Sequence, residues 1–166
     1  MRRILLTCTL AFTLLPVFGG EGKAPPMDKE KSLLIDYVDP FIGTTNFGTT
    51  NPGAVCPNGM MSVVPFNVMG SADNTYDKDA RWWSTPYEHT NCFFTGYSHV
   101  NLSGVGCPEL GSLLLMPTTG ELNVDYKEYG SKYKDEQASP GYYSNYLTKY
   151  NIKTEVSATP RTGIAR

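Results

Sequence analysis

The sequence is poor in the features from which a function is usually read. Histidine occurs only as His89 and His99, too far apart for the pair spacing of a zinc finger, which is about three to five residues. No basic run extends beyond Met1-Arg2-Arg3, and 14 Lys and Arg against 16 Asp and Glu leave a formal net charge of −2. The electrostatic footprint of a nucleic-acid binder is therefore missing, and nucleic acid is excluded as a partner. There is no Walker-type glycine loop, no nucleophile elbow and no internal repeat. With 18% charged and 40% hydrophobic residues, the chain is neither a coiled coil nor a highly charged disordered tail. At 166 residues it is long enough to bury one ordinary core without a disulfide scaffold.

Long apolar runs are also absent. Ile4 to Phe18 is the longest, and Thr7, Thr13 and Pro16 interrupt it. It falls short of the roughly 20 residues that cross a bilayer as a helix, so no stable membrane span is expected. Following Arg2 and Arg3, and ending in Val17-Phe18-Gly19, it reads as a secretory signal with its cleavage site. Residues 1–19 are expected to be removed, and the protein to be exported to the periplasm or beyond the cell. Cys8 lies inside the apolar run, not at the position of a lipoprotein cysteine. The cysteines that remain, Cys56, Cys92 and Cys107, are odd in number and cannot all pair. Their spacing does not fit a zinc ribbon, and they read as buried apolar side chains.

Residues 20–32 are polar and contain proline, a flexible leader before a domain spanning residues 33–166. Short apolar runs then alternate with turn clusters at Leu33–Val38, Met60–Phe66, Cys92–Tyr97, Ser112–Met116, Tyr142–Thr148 and Ile152–Ala158. In the last run Ile152, Thr154, Val156 and Ala158 share one face and Lys153, Glu155 and Ser157 the other, the period of a half-buried strand. A turn at Lys149–Asn151 joins it to its predecessor as a hairpin. No helical period persists over a helix-length window. The predicted fold is mainly β, an antiparallel β-sandwich.

Three long loops, 39–59, 67–91 and 98–111, separate these strands, and long loops in small domains tend to carry function. One holds Arg81-Trp82-Trp83-Ser84, both tryptophans of the chain. Their rings suit stacking on the apolar face of a sugar, with Asp77, Asp79, Arg81 and Glu88 near in sequence for its hydroxyls; the alternative is that they cap the sandwich. Another holds Ser98-His99-Val100-Asn101 among glycines that let backbone approach a ligand. No motif orients Ser98 and His99 as a nucleophile and base. Asn101-Leu102-Ser103 matches the N-glycosylation pattern. Asp73, Asp77, Asp79, Glu88 and Glu109 are candidate carboxylates for glycoside hydrolysis, but spacing in sequence names no pair among them.

In order along the chain, Val38-Asp39-Pro40-Phe41-Ile42-Gly43-Thr44, Pro52-Gly53-Ala54, Gly96-Tyr97-Ser98-His99, Leu102-Ser103-Gly104-Val105-Gly106-Cys107, Leu113-Leu114-Leu115-Met116-Pro117, Ser139-Pro140-Gly141-Tyr142-Tyr143 and Ala158-Thr159-Pro160-Arg161 resemble successive blocks of one family. It is the N-terminal domain of glycoside hydrolase family 92. The resemblance implies a β-sandwich from an exported, calcium-dependent, inverting exo-α-mannosidase acting on mannose-containing glycans. In that family the catalytic acid, the base and the calcium ligands belong to a C-terminal (α/α)6 barrel, while the sandwich helps to form the mannose subsite. The barrel is then expected to be missing here, the fragment to bind no calcium of its own, and the chain to be an inactive truncated or split enzyme. By resemblance, Gly43, Thr44, Trp82, Trp83, Ser98 and His99 are the residues expected to face sugar. The competing expectation is a free-standing carbohydrate-binding module built on Trp82 and Trp83.

Overall fold

A computed structural model of the protein describes residues 34–45, 48–71, 73–74, 85–102 and 110–166. It shows two antiparallel sheets. The first has the order β1-β2-β4-β5, built from Ala54–Val55 (β1), Ser62–Phe66 (β2), Gly96–Asn101 (β4) and Leu110–Leu115 (β5). The second has the order β3-β6-β7-β8-β9, built from Phe93–Phe94 (β3), Ser131–Ser139 (β6), Tyr142–Leu147 (β7), Ile152–Ala158 (β8) and Gly163–Ala165 (β9). A short helix, Tyr126–Tyr129, is N-capped by Asp125, whose side chain accepts from the Lys127 amide.

The predicted hairpin is present as β7 and β8, in register from Tyr142↔Ser157 to Leu147↔Ile152. Thr154 and Val156 are buried while Lys153 and Ser157 are exposed, as the two-residue period requires. Between the sheets Ala54, Val63, Phe94, Tyr97, Tyr143, Leu147 and Val156 form the core. Phe94 meets Tyr97 edge-on at 5.0 Å, and Tyr97 meets Tyr143 edge-on at 6.1 Å, the favoured geometry for aromatic quadrupoles. The Tyr97 hydroxyl is not stranded in this apolar layer: it bonds Thr154 Oγ1 at 2.6 Å and donates to Asn145 Oδ1 at 3.2 Å. Burial pushes the Tyr97 phenol well above its ordinary pKa.

Several expectations need correction. Leu33–Val38 is not a strand over its described part, where Leu34 and Ile35 are helical and Asp36 and Tyr37 form a turn. Residues 98–101 and 110–111 are strand, not loop, because their backbones pair in the ladder between β4 and β5. Cys92 is exposed and Cys56 only partly covered, both as free thiols, so the reading of buried apolar cysteines fails for them. Cys107 and the whole of residues 1–33, including the expected signal and leader, lie outside the described residues. β6 was missed because Lys132, Lys134, Asp135 and Gln137 mask its pattern. Its register shifts between Lys134 and Gln137, and Asp135 sits at φ 52°. That bulge inserts one residue and breaks the alternation a sequence scan relies on.

Leu147 is fully buried in the centre of the core. Leu147→Ala is expected to cost about 2–5 kcal/mol, from lost transfer energy and the cavity left behind. Ser157→Ala, on the exposed face of β8, loses one exposed hydrogen bond to Gly141 O and should cost no more than about 1 kcal/mol. Urea unfolding followed by far-UV circular dichroism measures both.

Candidate functional site

At the end of β2 the chain turns at Asn67, which is fully buried. Its amide donates to Pro86 O at 3.0 Å. Its Nδ2 donates to Glu88 O and Tyr133 Oη, both at 2.9 Å, and its Oδ1 accepts from the Glu88 amide at 2.8 Å. Its carbonyl accepts from Asn74 Nδ2 at 2.9 Å and Asn91 Nδ2 at 2.8 Å. Buried loop backbone must find partners somewhere, and this one residue supplies them for the Pro86 carbonyl and for both the amide and the carbonyl of Glu88.

The pinned segment carries Tyr87, Glu88 and His89. Tyr87 is fully buried, and its hydroxyl donates to Glu136 Oε1 at 2.8 Å while lying 2.9 Å from His89 Nδ1. The phenol has only one proton and gives it to Glu136, so it is the forms of His89 protonated on Nδ1 that complete this chain. Tyr143 donates to the same Glu136 oxygen at 2.6 Å. The β6 bulge aims Glu136 inward: its side chain is 14% exposed, against 46% for His89, and His89 Nδ1 lies 3.7 Å from Glu136 Oε2. The sequence reading did not nominate Glu136, and the one signal that could have found it is the broken alternation across Lys134–Gln137.

Burial raises the Glu136 pKa, with the Tyr143 and Tyr87 hydrogen bonds and the His89 charge opposing. Burial likewise pushes the Tyr87 and Tyr143 phenols far above their ordinary value, so both remain donors. Glu88 is fully buried too. Its Oε1 accepts from Thr90 Oγ1 at 3.1 Å, whereas Oε2 has no hydrogen-bond partner among the described residues. Desolvation raises its pKa as well.

The turn at residues 39–45 docks on this segment. Thr44 is buried, its Oγ1 donates to Phe41 O at 2.7 Å, and its carbonyl accepts from the His89 amide at 2.9 Å. The Phe41 ring lies 5.0 Å from the His89 ring. Gly43 has φ +78°, and a Cβ there would stand 2.8 Å from Thr50 Oγ1, so a side chain would be strained twice over. Gly43 and Thr44 are thus brought to the Tyr87–His89–Glu136 cluster.

The remaining expected site residues divide. Trp82 and Trp83 lie outside the described residues, as do Asp77, Asp79, Arg81 and Glu109. The flanks of their segment are anchored at the same place, Asn74 on Asn67 and Thr85 on Thr50 O and Tyr87 O. Ser98 and His99 are not in a loop but consecutive in β4, so their side chains take opposite faces and do not form a pair. Ser98 is buried and donates to Asn101 Oδ1 at 3.0 Å. His99 Nδ1 lies 3.1 Å from Leu113 O and lines a cavity of about 320 Å³ beside Tyr97, Leu115 and Arg166. Asn101 Nδ2 is buried, so the glycosylation pattern there has no accessible amide. Among the described residues no three His, Cys, Asp or Glu side chains cluster as a metal site, and the Glu136 carboxylate is occupied by two phenols. What the cluster can do is hold a proton on a buried carboxylate and connect it, through Tyr87, to a half-exposed imidazole.

Because Glu136 and Glu88 bind protons more tightly folded than unfolded, stability falls as pH rises from the ordinary carboxylate range through their raised values. Glu136→Gln should flatten this dependence while keeping an acceptor for both phenols; denaturation midpoints measured from pH 4 to 8 check it, and an unchanged slope would refute the assignment. Tyr143→Phe should cost about 1–3 kcal/mol at neutral pH, since it removes a donor from a buried carboxylate.

Comparison with known proteins places this geometry. The family described as glycosyl hydrolase family 92 N-terminal domain matches residues 37–166. The structure is similar to the family GH92 α-mannosidase BT3965 from Bacteroides thetaiotaomicron, with a TM-score of 0.67 and 33% identity over 80% of this chain and 18% of that one. It is similar to the GH92 family glycosyl hydrolase ccman5, with a TM-score of 0.61 and 29% identity over 79% of this chain and 18% of that one. It shares its fold with the GH92 inverting mannosidase BT2199 from B. thetaiotaomicron VPI-5482, with a TM-score of 0.57 and 24% identity over 79% of this chain and 17% of that one. No curated protein matches. The chain spans less than a fifth of the length of these solved relatives. On a match that covers most of its length, the chain belongs to glycosyl hydrolase family 92, through that family's N-terminal domain.

Proposed function

We propose that this chain is the pocket-forming, carbohydrate-binding N-terminal domain of an exported, calcium-dependent, inverting exo-α-mannosidase that acts on mannose-containing glycans. The observation that carries the reading is the family match over residues 37–166, joined to 33% identity with a protein named as an α-mannosidase and also solved in complex with mannoimidazole. The Gly43–Thr44 turn, the flanks of the Trp82–Trp83 segment and His89 converge on one cluster, which gives a sugar ring aromatic faces and polar groups together. Ser98 and His99 belong to the same reading as pocket residues carried by β4. Catalytic acid, base and calcium ligands are assigned to a barrel domain outside this chain. Calcium, if bound by the whole enzyme, would supply Lewis-acid chemistry there; the residues described here only position sugar. Export rests on the Arg2-Arg3 start and the apolar run that follows.

The 166-residue chain, purified and given calcium, is expected to release no aryl group from an aryl α-mannoside. Turnover above the buffer blank would defeat the assignment of the catalytic groups elsewhere. Titration calorimetry with mannobiose tests the binding half: Trp82→Ala or Trp83→Ala should weaken affinity by about 1 kcal/mol, the scale of one stacked ring. Strong binding by the chain alone would favour the free-standing module.

A further inference from the structure

His89 is held at one ring nitrogen and left open at the other. Nδ1 points inward, 2.9 Å from Tyr87 Oη and 3.7 Å from Glu136 Oε2. The ring is fixed in that pose from two further sides, by the Phe41 ring at 5.0 Å and by its own backbone amide, which donates to Thr44 O at 2.9 Å. Nε2 takes part in none of these hydrogen bonds and has no partner among the described residues, while the side chain stays half-exposed.

A neutral imidazole carries one proton, and which nitrogen holds it is set by what the other faces. Both atoms that face Nδ1 are oxygens. Glu136 Oε2 only accepts while the carboxylate is ionised, and the Tyr87 phenol has given its proton to Glu136 Oε1, where Tyr143 donates as well. A lone pair on Nδ1 would therefore stand against oxygen lone pairs on two sides. Turning the Tyr87 proton toward Nδ1 would relieve this, but it exchanges a hydrogen bond to a buried carboxylate for one to a neutral ring, and the charge-assisted bond is roughly twice as strong. The other titratable groups nearby are engaged elsewhere: Glu88 Oε1 with Thr90, Tyr133 with Asn91 O, and Asp39, in the turn that carries Phe41, with the Phe41 amide at 2.9 Å.

We infer that Glu136 and Tyr87 hold neutral His89 with its proton on Nδ1, so that Nε2 is left outward as a hydrogen-bond acceptor for a hydroxyl of the sugar. In this arrangement Glu136 and Tyr87 are positioning residues, and His89 is the group that touches ligand. The place of titration follows too: the imidazolium keeps its Nδ1 proton, so protonation changes Nε2 alone and turns an acceptor into a donor. The ligand half rests on the carbohydrate-binding reading above, whereas the proton on Nδ1 stands on the cluster itself.

The test is nitrogen-15 spectroscopy of the 166-residue chain with labelled histidine at pH 9, in which long-range proton correlations tell a protonated ring nitrogen from a bare one. His99→Gln removes the second histidine and leaves the His89 signals alone. Nδ1 is expected to be protonated and Nε2 bare. Glu136→Gln should shift the ratio of the two neutral forms toward Nε2–H by about tenfold or more, because the phenols keep the amide oxygen in the Oε1 place and set the NH2 group where Oε2 stood. A merely structural role for Glu136 would leave that ratio unmoved. Circular dichroism shows whether the variant is folded; should it unfold, the spectrum of the unsubstituted chain decides alone. Methyl α-mannoside is then expected to move the Nε2 resonance while Nδ1 stays protonated. A bare Nδ1 in the unsubstituted chain would overturn the inference, as would an unmoved ratio in folded Glu136→Gln. Sugar binding by calorimetry with no change at Nε2 overturns His89 as the acceptor and spares the carbohydrate-binding reading. No sugar binding at all defeats that reading and the ligand half with it, and leaves the Nδ1 proton to be decided by the spectrum.

Discussion

The carboxamide and backbone of Asn67 stand where β2 gives way to loop, and six hydrogen bonds converge there from Asn74, Pro86, Glu88, Asn91 and Tyr133. A loop drawn into the interior loses water as a partner for its amides and carbonyls, and each unmet group would cost on the order of 1–3 kcal/mol. Asn67 resolves this for Pro86 and Glu88 with groups that no apolar side chain could supply. Once that segment is fixed, Tyr87 is buried, His89 faces the Gly43–Thr44 turn, and the second sheet is tied to the first through Tyr133. The position of the whole cluster follows from one polar residue at a strand end.

Glu136 is the second constraint, and it opposes stability. A carboxylate taken from water needs donors, and Tyr87 and Tyr143 provide two at 2.8 and 2.6 Å. They do not restore full hydration, so the proton is held more tightly than usual. An apolar residue at this position would serve the core better. The β6 bulge that turns Glu136 inward also departs from a regular ladder, with Asp135 at positive φ. Two local costs thus fall at one place, beside a half-exposed histidine and the flanks of the tryptophan segment.

How much of this was legible in the sequence depends on which physical signal each part leaves. β8 was read to its ends because Ile152 to Ala158 alternate cleanly and one face is buried. β6 was not, since its inward residues are Tyr133, Glu136 and Ala138, a spacing that fits no period of two until the bulge is known. Gly43 and Thr44 were nominated through family resemblance; their docking on His89 is a backbone contact that no side-chain pattern records. The glycine-rich surroundings of Ser98 and His99 read as turn, yet the ladder with Val63, Val64, Leu113 and Leu114 holds them in strand. Asn67 left no signal at all, because a lone asparagine after a strand is ordinary until its partners are seen.

The first sheet links these points. β2 and β4 are covered on both faces, which is why β2 tolerates Ser62 and Pro65 among valines: Ser62 Oγ accepts from the Asn101 amide, and Pro65 sits within a strand whose neighbours satisfy their own groups. The three leucines of β5 extend the same two-faced apolar character to the edge, where water now meets what the rest of the sheet keeps dry. The second sheet shows the contrast, for its ends are two- and three-residue strands with little to bury. The hydrophobic effect thus assigns the two sheets different roles among the described residues: the second closes one side of the core, and the first carries apolar side chains on both of its faces.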